Sequence, residues 1–128
     1  MSTYLATSTL GRFDLSITTM SNGLPVYVAI DPQLAKGQVL SKLVESVEFY
    51  TDLYGPYPFN AVGAIVDSAK IVGYSLETQT KPNFPYVPNE ATLVHEISHM
   101  WFGDSVSVEL WTDIWINEWF ATWSEWIW

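Results

Sequence analysis

The chain holds only two histidines, four residues apart in the string His95-Glu96-Ile97-Ser98-His99. On a helix this spacing puts both imidazoles on one face, one turn apart, where they can share a single metal ion. Glu96 directly follows His95, so its carboxylate can reach a water held by that metal. A fold for this chain therefore has to present a helix with this string and bring a further ligand to it.

The arrangement is the H-E-x-x-H string of zinc hydrolases. A catalytic zinc ion takes three protein ligands and keeps one position open for water. With no third histidine and no cysteine, the remaining ligand must be Asp or Glu. Glu118 is the best candidate, with 18 residues between it and His99. A helix end, a turn and about one and a half turns of an antiparallel neighbouring helix fit that interval. An ordinary amphipathic helix can carry such a string by chance, and Glu118 can be a solvated carboxylate. Its neighbours Ile114, Ala121 and Thr122, however, make a poor solvent face.

The length suits one domain that can bury a real core. Acidic residues outnumber basic ones 14 to 5, for a formal net charge of −9. With no basic cluster to neutralise phosphates, nucleic acid is excluded as a partner. The absence of cysteine rules out disulfides and leaves the redox compartment open. The first residues lack a basic segment followed by an apolar one, so no signal peptide is read there. No apolar run is long enough to span a membrane. The compartment stays unassigned, leaning towards the cytoplasm.

Tyr4–Leu10, Phe13–Thr18 and Leu24–Ile30 read as strands, with a turn at Ser21-Asn22-Gly23. Pro32 opens a helical stretch whose apolar face holds Val39, Leu40, Leu43, Val44, Val47, Tyr50 and Leu53, ended by Gly55-Pro56. Residues 60–66 read as a buried strand and 72–80 as another, at an edge. Residues 81–89, with three prolines, read as loop. Asn89 caps the histidine helix, which stops near Gly103, and a last helix runs from Thr112. Strands followed by helices give an α+β class with about five strands in a mixed sheet. The whole of 1–128 forms one minimal or truncated catalytic domain, with 1–80 mainly sheet plus one helix and 89–128 the metal-binding helices.

The strings HEISHMWFGDSV and WTDIWINEWFATWSEWIW closely resemble the aminopeptidase N-like zinc metallopeptidases, peptidase family M1 of the gluzincin clan. That family's pattern is HExxHxWFGDxV, then a tryptophan, an aspartate and LNEGFA. The match is dense from about Thr92 to Trp128, and softer similarity runs back through residues 54–59 to Tyr4–Leu10. The resemblance implies the upper lobe of a thermolysin-like catalytic domain, with peptides as substrates. It implies one zinc ion on His95, His99 and Glu118, and Glu96 as general base towards a zinc-activated water.

Three departures modify that expectation. The family's oxyanion-stabilising tyrosine lies well downstream of the glutamate ligand, and this chain stops ten residues after Glu118. Losing one such donor costs about 100- to 1,000-fold in turnover, so weak catalysis is expected. The family's exopeptidase motif Gly-x-Met-Glu-Asn reads Tyr74-Ser75-Leu76-Glu77-Thr78 here. By the resemblance Glu77 still pairs with the α-ammonium of a substrate, which favours aminopeptidase over endopeptidase action; the plain alternative is an edge-strand glutamate facing water. The glycine after the ligand glutamate is Trp119, whose indole must point elsewhere or push helices apart.

On helical spacing Trp115, Trp119 and Trp126 share one face with Trp123 at its rim, and Glu118, Thr122 and Glu125 lie on another. Such a stripe is expected to be core, and failing that a surface for self-association. Glu125, two turns beyond Glu118, is placed either to orient a ligand histidine or as a surface carboxylate. Asp104 is expected to cap or brace the loop after the histidine helix. Two alternatives to a peptidase stay open: a catalytically silent zinc-binding domain, and an assembly module using the tryptophan face.

Overall fold

The computed structural model describes residues 2–34, 39–69 and 71–128. Strands β1 (Asp14–Thr19) and β2 (Pro25–Ile30) form a hairpin closed at Ser21-Asn22-Gly23, as the sequence predicts. Gly23 takes φ 89°, and Asn22 Oδ1 accepts from the Leu24 amide at 3.1 Å. β2 then pairs in parallel with β3 (Val62–Val66), which pairs in parallel with β4 (Asn83–Phe84). Among the described residues the result is a mixed sheet of four strands in the order β1-β2-β3-β4, where about five are expected. With helices α1 (Val39–Tyr54), α2 (Glu90–Ser98) and α3 (Trp115–Ile127), the fold is mixed α/β.

Strand alternation decides the core. Val26, Val28 and Ile30 of β2 join Val62, Ala64 and Val66 of β3 in a cluster with Leu43, Val47 and Tyr50 of α1 and Leu93, Val94 and Ile97 of α2. Val39, Leu43, Val47 and Tyr50 recur at helical spacing and are buried, whereas Leu53, read from the sequence as part of that face, is exposed. Tyr54 ends α1, and Gly55 with φ 98° provides the left-handed residue that stops it. The Gly55 carbonyl then accepts from Trp101 Nε1 at 3.1 Å, tying the end of α1 to the chain leaving α2.

Several expected elements differ. Tyr4–Leu10 is not a strand: Thr3–Leu5 form a 3-10 turn that buries Leu5, and Leu10 lies almost fully in solvent. The alternation there is carried mostly by Ser and Thr, too little apolar area to hold a strand on the core. Pro32 does not begin α1; residues 32–34 turn back, with the Leu34 amide on the Asp31 carbonyl, and residues 35–38 lie outside the described residues. Residues 72–80 make only one bridge, Leu76 to Asn83, because Asn83 and Phe84 take the place beside β3. Those two residues sit in the proline-rich stretch read as loop. Pro82 lacks a donor but its carbonyl accepts from the Ile65 amide at 2.9 Å, and Phe84 is buried. Among the described residues, no helix is long and apolar enough to cross a membrane.

The tryptophan stripe is not core. Trp115, Trp119, Trp123 and Trp126 are 62%, 55%, 43% and 73% exposed, while Asn117, Ala121 and Ser124 are the buried residues of α3. Small side chains at that spacing let α3 lie close to α2, and two tyrosines of α1 reach across to it. Tyr50 Oη donates to the Ser124 carbonyl at 3.0 Å, and the Tyr54 and Ser124 hydroxyls are 2.8 Å apart. Trp119 therefore points away from the helix contacts and stacks on Trp123, with ring centroids 6.2 Å apart.

Candidate metal centre

Asn89 caps α2 as predicted, its side chain accepting from the Thr92 amide at 2.8 Å. Regular α-helix ends at Ser98, five residues short of Gly103, and the chain continues in tight turns. Gly103 has φ 141°, and a Cβ there would lie 3.3 Å from His99 Nδ1. Glycine thus lets the turn close over the second histidine. His99 Nδ1 in turn lies 3.0 Å from the Phe102 carbonyl oxygen, an acceptor that selects the Nδ1–H tautomer. The Phe102 ring stacks on Phe120 at 4.5 Å, fixing α3 against this turn.

α3 begins at Trp115 after a 3-10 turn over Trp111–Asp113, three residues later than expected. Its first turn carries Glu118 to the histidines: Oε2 is 3.4 Å from His95 Nε2 and Oε1 is 3.8 Å from His99 Nε2. One ligand atom from each of the three residues lies within 4.8 Å of the others. Two turns on, Glu125 Oε1 is 2.6 Å from His95 Nδ1. Both imidazoles thus have Nδ1 engaged by an oxygen and Nε2 turned to the same carboxylate. Two neutral imidazole lone pairs and one carboxylate make a donor set suited to zinc, with room for a further ligand.

Electrostatics follow from burial around four carboxylates. Burial disfavours the charged form of His95, but hydrogen bonds with Glu118 and Glu125 outweigh it and push its pKa up to about 9. Deep burial holds His99 below the ordinary histidine value. The hydrogen bond from His95 keeps Glu118 low against the opposing effect of its own burial. Glu96 is pushed up to about 8, first by burial, with His95 opposing and Glu77, Glu118 and Glu125 adding to it. A divalent cation among these groups would pull the carboxylate values down again.

Glu77 faces the same cavity. Tyr4, Glu77, Glu96, Trp111, Ile114 and Glu118 line a cleft of ≈ 560 Å³ together with Tyr74, Ser75 and Leu76. Glu77 is only 7% exposed, so it is not a glutamate facing water, and it joins Glu96 and His99 within 4.8 Å. Asp104, expected to cap the loop, does not: it is buried and neither carboxylate oxygen has a hydrogen-bond partner among the described residues. Burial, helped by the charge of Glu77, pushes its pKa up to about 8. Sequence reasoning missed Tyr4, whose hydroxyl donates to Glu77 Oε1 at 2.9 Å. No short-range signal marks it, because the two residues are 73 positions apart.

The family model for the peptidase family M1 domain matches residues 61–128, more than half of the chain. The chain belongs to peptidase family M1. It is 34% identical to aminopeptidase M1-C of Oryza sativa subsp. japonica over 96% of its own length and 16% of that protein's. Among solved structures it superposes on an M1 zinc metallopeptidase from Deinococcus radiodurans with a TM-score of 0.71 at 26% identity, covering 89% of this chain and 26% of that one. A variant of that enzyme bound to a Tyr-Ser-Ala substrate gives a TM-score of 0.73 at 25% identity, covering 90% and 28%. The M1 chain described here thus spans about a sixth of the length of its curated plant relative.

Proposed function

We propose that this M1 chain is a zinc-dependent catalytic unit that hydrolyses peptide bonds at a free amino terminus. The observation that carries the reading is the convergence of both histidine Nε2 atoms on Glu118, beside two buried carboxylates at the floor of one cleft. His95, His99 and Glu118 are proposed to hold one zinc ion, as in an M1 zinc metallopeptidase. Zinc bound there supplies Lewis acidity, polarising a carbonyl and making a nearby water acidic enough to attack at neutral pH.

The chain's own residues supply the rest. Glu96 takes the proton from the attacking water and returns it to the leaving amine. Glu77 pairs with the substrate's α-ammonium, which fixes the amino end of the peptide one residue from the bond to be cut. Glu125 orients His95. Residues 1–80 carry Glu77, in the segment that follows β3, and the helices (89–128) carry the metal ligands, in one catalytic domain of thermolysin-like upper-lobe type. Peptides are the proposed partners, and the acidic balance argues against nucleic acid.

The test is hydrolysis of an aminoacyl reporter with a free amino terminus by zinc-loaded protein. Turnover that disappears with a chelator and is much slower on the N-acetylated reporter supports the reading. One bound zinc without turnover would overturn it in favour of a catalytically silent zinc domain. Glu125→Gln is expected to weaken zinc binding about 10- to 100-fold, read by competition with a chromophoric chelator, because His95 loses the carboxylate that sets its tautomer.

A further inference from the structure

We infer that Tyr4 is a positioning residue that holds Glu77 in place for the α-ammonium group of a substrate. The inference rests on the aminopeptidase reading above and adds to it a residue from the far end of the chain. Glu77 is a buried carboxylate, and no lysine or arginine among the described residues pairs with it. The hydrogen bond recorded for it is the one from Tyr4 Oη to Oε1 at 2.9 Å. One of its oxygens lies within 4.8 Å of Glu96 and His99. An anchored Oε1 leaves Oε2 free to accept from a cation entering the cleft.

The anchor is itself held at two points. Leu5 is buried and its carbonyl accepts from the Gln79 amide at 3.3 Å, so the backbone next to Tyr4 is tied to the backbone just past Glu77. The Tyr4 ring meets Trp111 edge to face, with centroids 5.3 Å apart and planes at 85°. Around Thr78 the chain is fixed by its hydroxyl, which donates to the Lys81 carbonyl at 2.6 Å and accepts from Asn83 Nδ2 at 2.7 Å. The backbone on both sides of Glu77 is therefore fixed, and the phenol restrains the side chain that remains. Tyr4 and Trp111 both line the cleft, so the anchor lies where the amino end of a peptide would enter.

The test uses L-leucinamide, which carries an α-ammonium and no carboxylate, with N-acetyl-L-leucinamide as its uncharged counterpart. Calorimetry on the zinc-loaded chain, with Glu96→Gln in every case so that the amide is not hydrolysed during the titration, compares the otherwise unmodified protein, Tyr4→Phe, Glu77→Gln and the double variant. Phenylalanine keeps the ring against Trp111 and removes one oxygen. Tyr4→Phe is expected to weaken L-leucinamide binding about tenfold, leave the acetylated probe and zinc affinity unchanged, and add no further loss once Glu77 is Gln. Trp111→Leu, which keeps the hydroxyl but loosens the ring, should shift the same selectivity less. Unchanged L-leucinamide affinity in Tyr4→Phe, or an equal loss in the Glu77→Gln background, overturns the inference while the aminopeptidase reading stands. If the unmodified protein does not distinguish the two probes, the aminopeptidase reading has failed and the role of Tyr4 fails with it.

Discussion

Glu96→Gln is expected to reduce hydrolysis of a free-amino-terminus reporter by about 100- to 10,000-fold while zinc still binds with one-to-one stoichiometry. The substitution is nearly isosteric and keeps the α2 packing, but an amide cannot take a proton from water. Glu96 is not one of the three groups whose atoms converge as His95, His99 and Glu118, so the metal donors remain intact. It is buried beside Glu77, Glu118 and Glu125, so loss of one negative charge from this cluster should change zinc affinity by severalfold at most. Steady-state rates together with metal content by mass spectrometry decide the matter. Rates within tenfold of the unmodified protein would move the general base to Glu77 or Glu118. Loss of zinc along with activity would make Glu96 a ligand instead.

The residues that meet at this site were legible in the sequence to different degrees, for physical reasons. His95, Glu96 and His99 declare themselves because a helix of 3.6 residues per turn converts a spacing of four into one face. Glu118 and Glu125 follow from the same periodicity, applied to a second helix near the first. The carboxylates of both now sit against His95, although spacing alone left Glu125 equally readable as a surface charge. Glu77 was legible through the family's exopeptidase motif, but its burial was not, since that depends on Tyr4 and Trp111 arriving from two distant segments.

Errors arose where one-dimensional pattern and packing disagree. The tryptophans of α3 repeat at helical spacing and so look like a core stripe. The helix instead turns Asn117, Ala121 and Ser124 inward, because bulky indoles there would keep Glu118 and Glu125 from reaching the histidines. β4 escaped notice because two residues between prolines carry no periodicity. Their place beside β3 is set by the Pro82 carbonyl and the buried Phe84 ring, neither of which the prolines prevent.

Metal-free protein should lose stability as pH rises from about 4 to 9, and zinc should reverse that trend over the upper part of the range. Three groups, the half-buried His95 and the buried Glu96 and Asp104, bind protons more tightly folded than unfolded, at about 9, about 8 and about 8. Each has a raised folded pKa, so its contribution is complete below its unfolded value and is lost as pH climbs through the folded one. His99 and Glu118 are lowered and act in the opposite sense, but at and below their ordinary values, so they weaken the fold only on the acid side. The loss is steepest between about pH 6.5 and 8, where all three groups differ between the two states, and a fall in Tm of more than about 10 °C is expected there for a chain of this size. A metal ion needs the His95 Nε2 lone pair, so below pH 9 its binding must expel the proton between Nε2 and Glu118, while the Nδ1 proton stays on the side of Glu125. Zinc affinity should then rise about tenfold per pH unit between 7 and 9, and the Tm increment on adding zinc should grow with it. Thermal melts with and without zinc at four pH values test both halves at once. An increment that is constant from pH 7 to 9 would mean that His95 is already neutral in the metal-free chain, and that its contact with Glu118 does not hold a proton there.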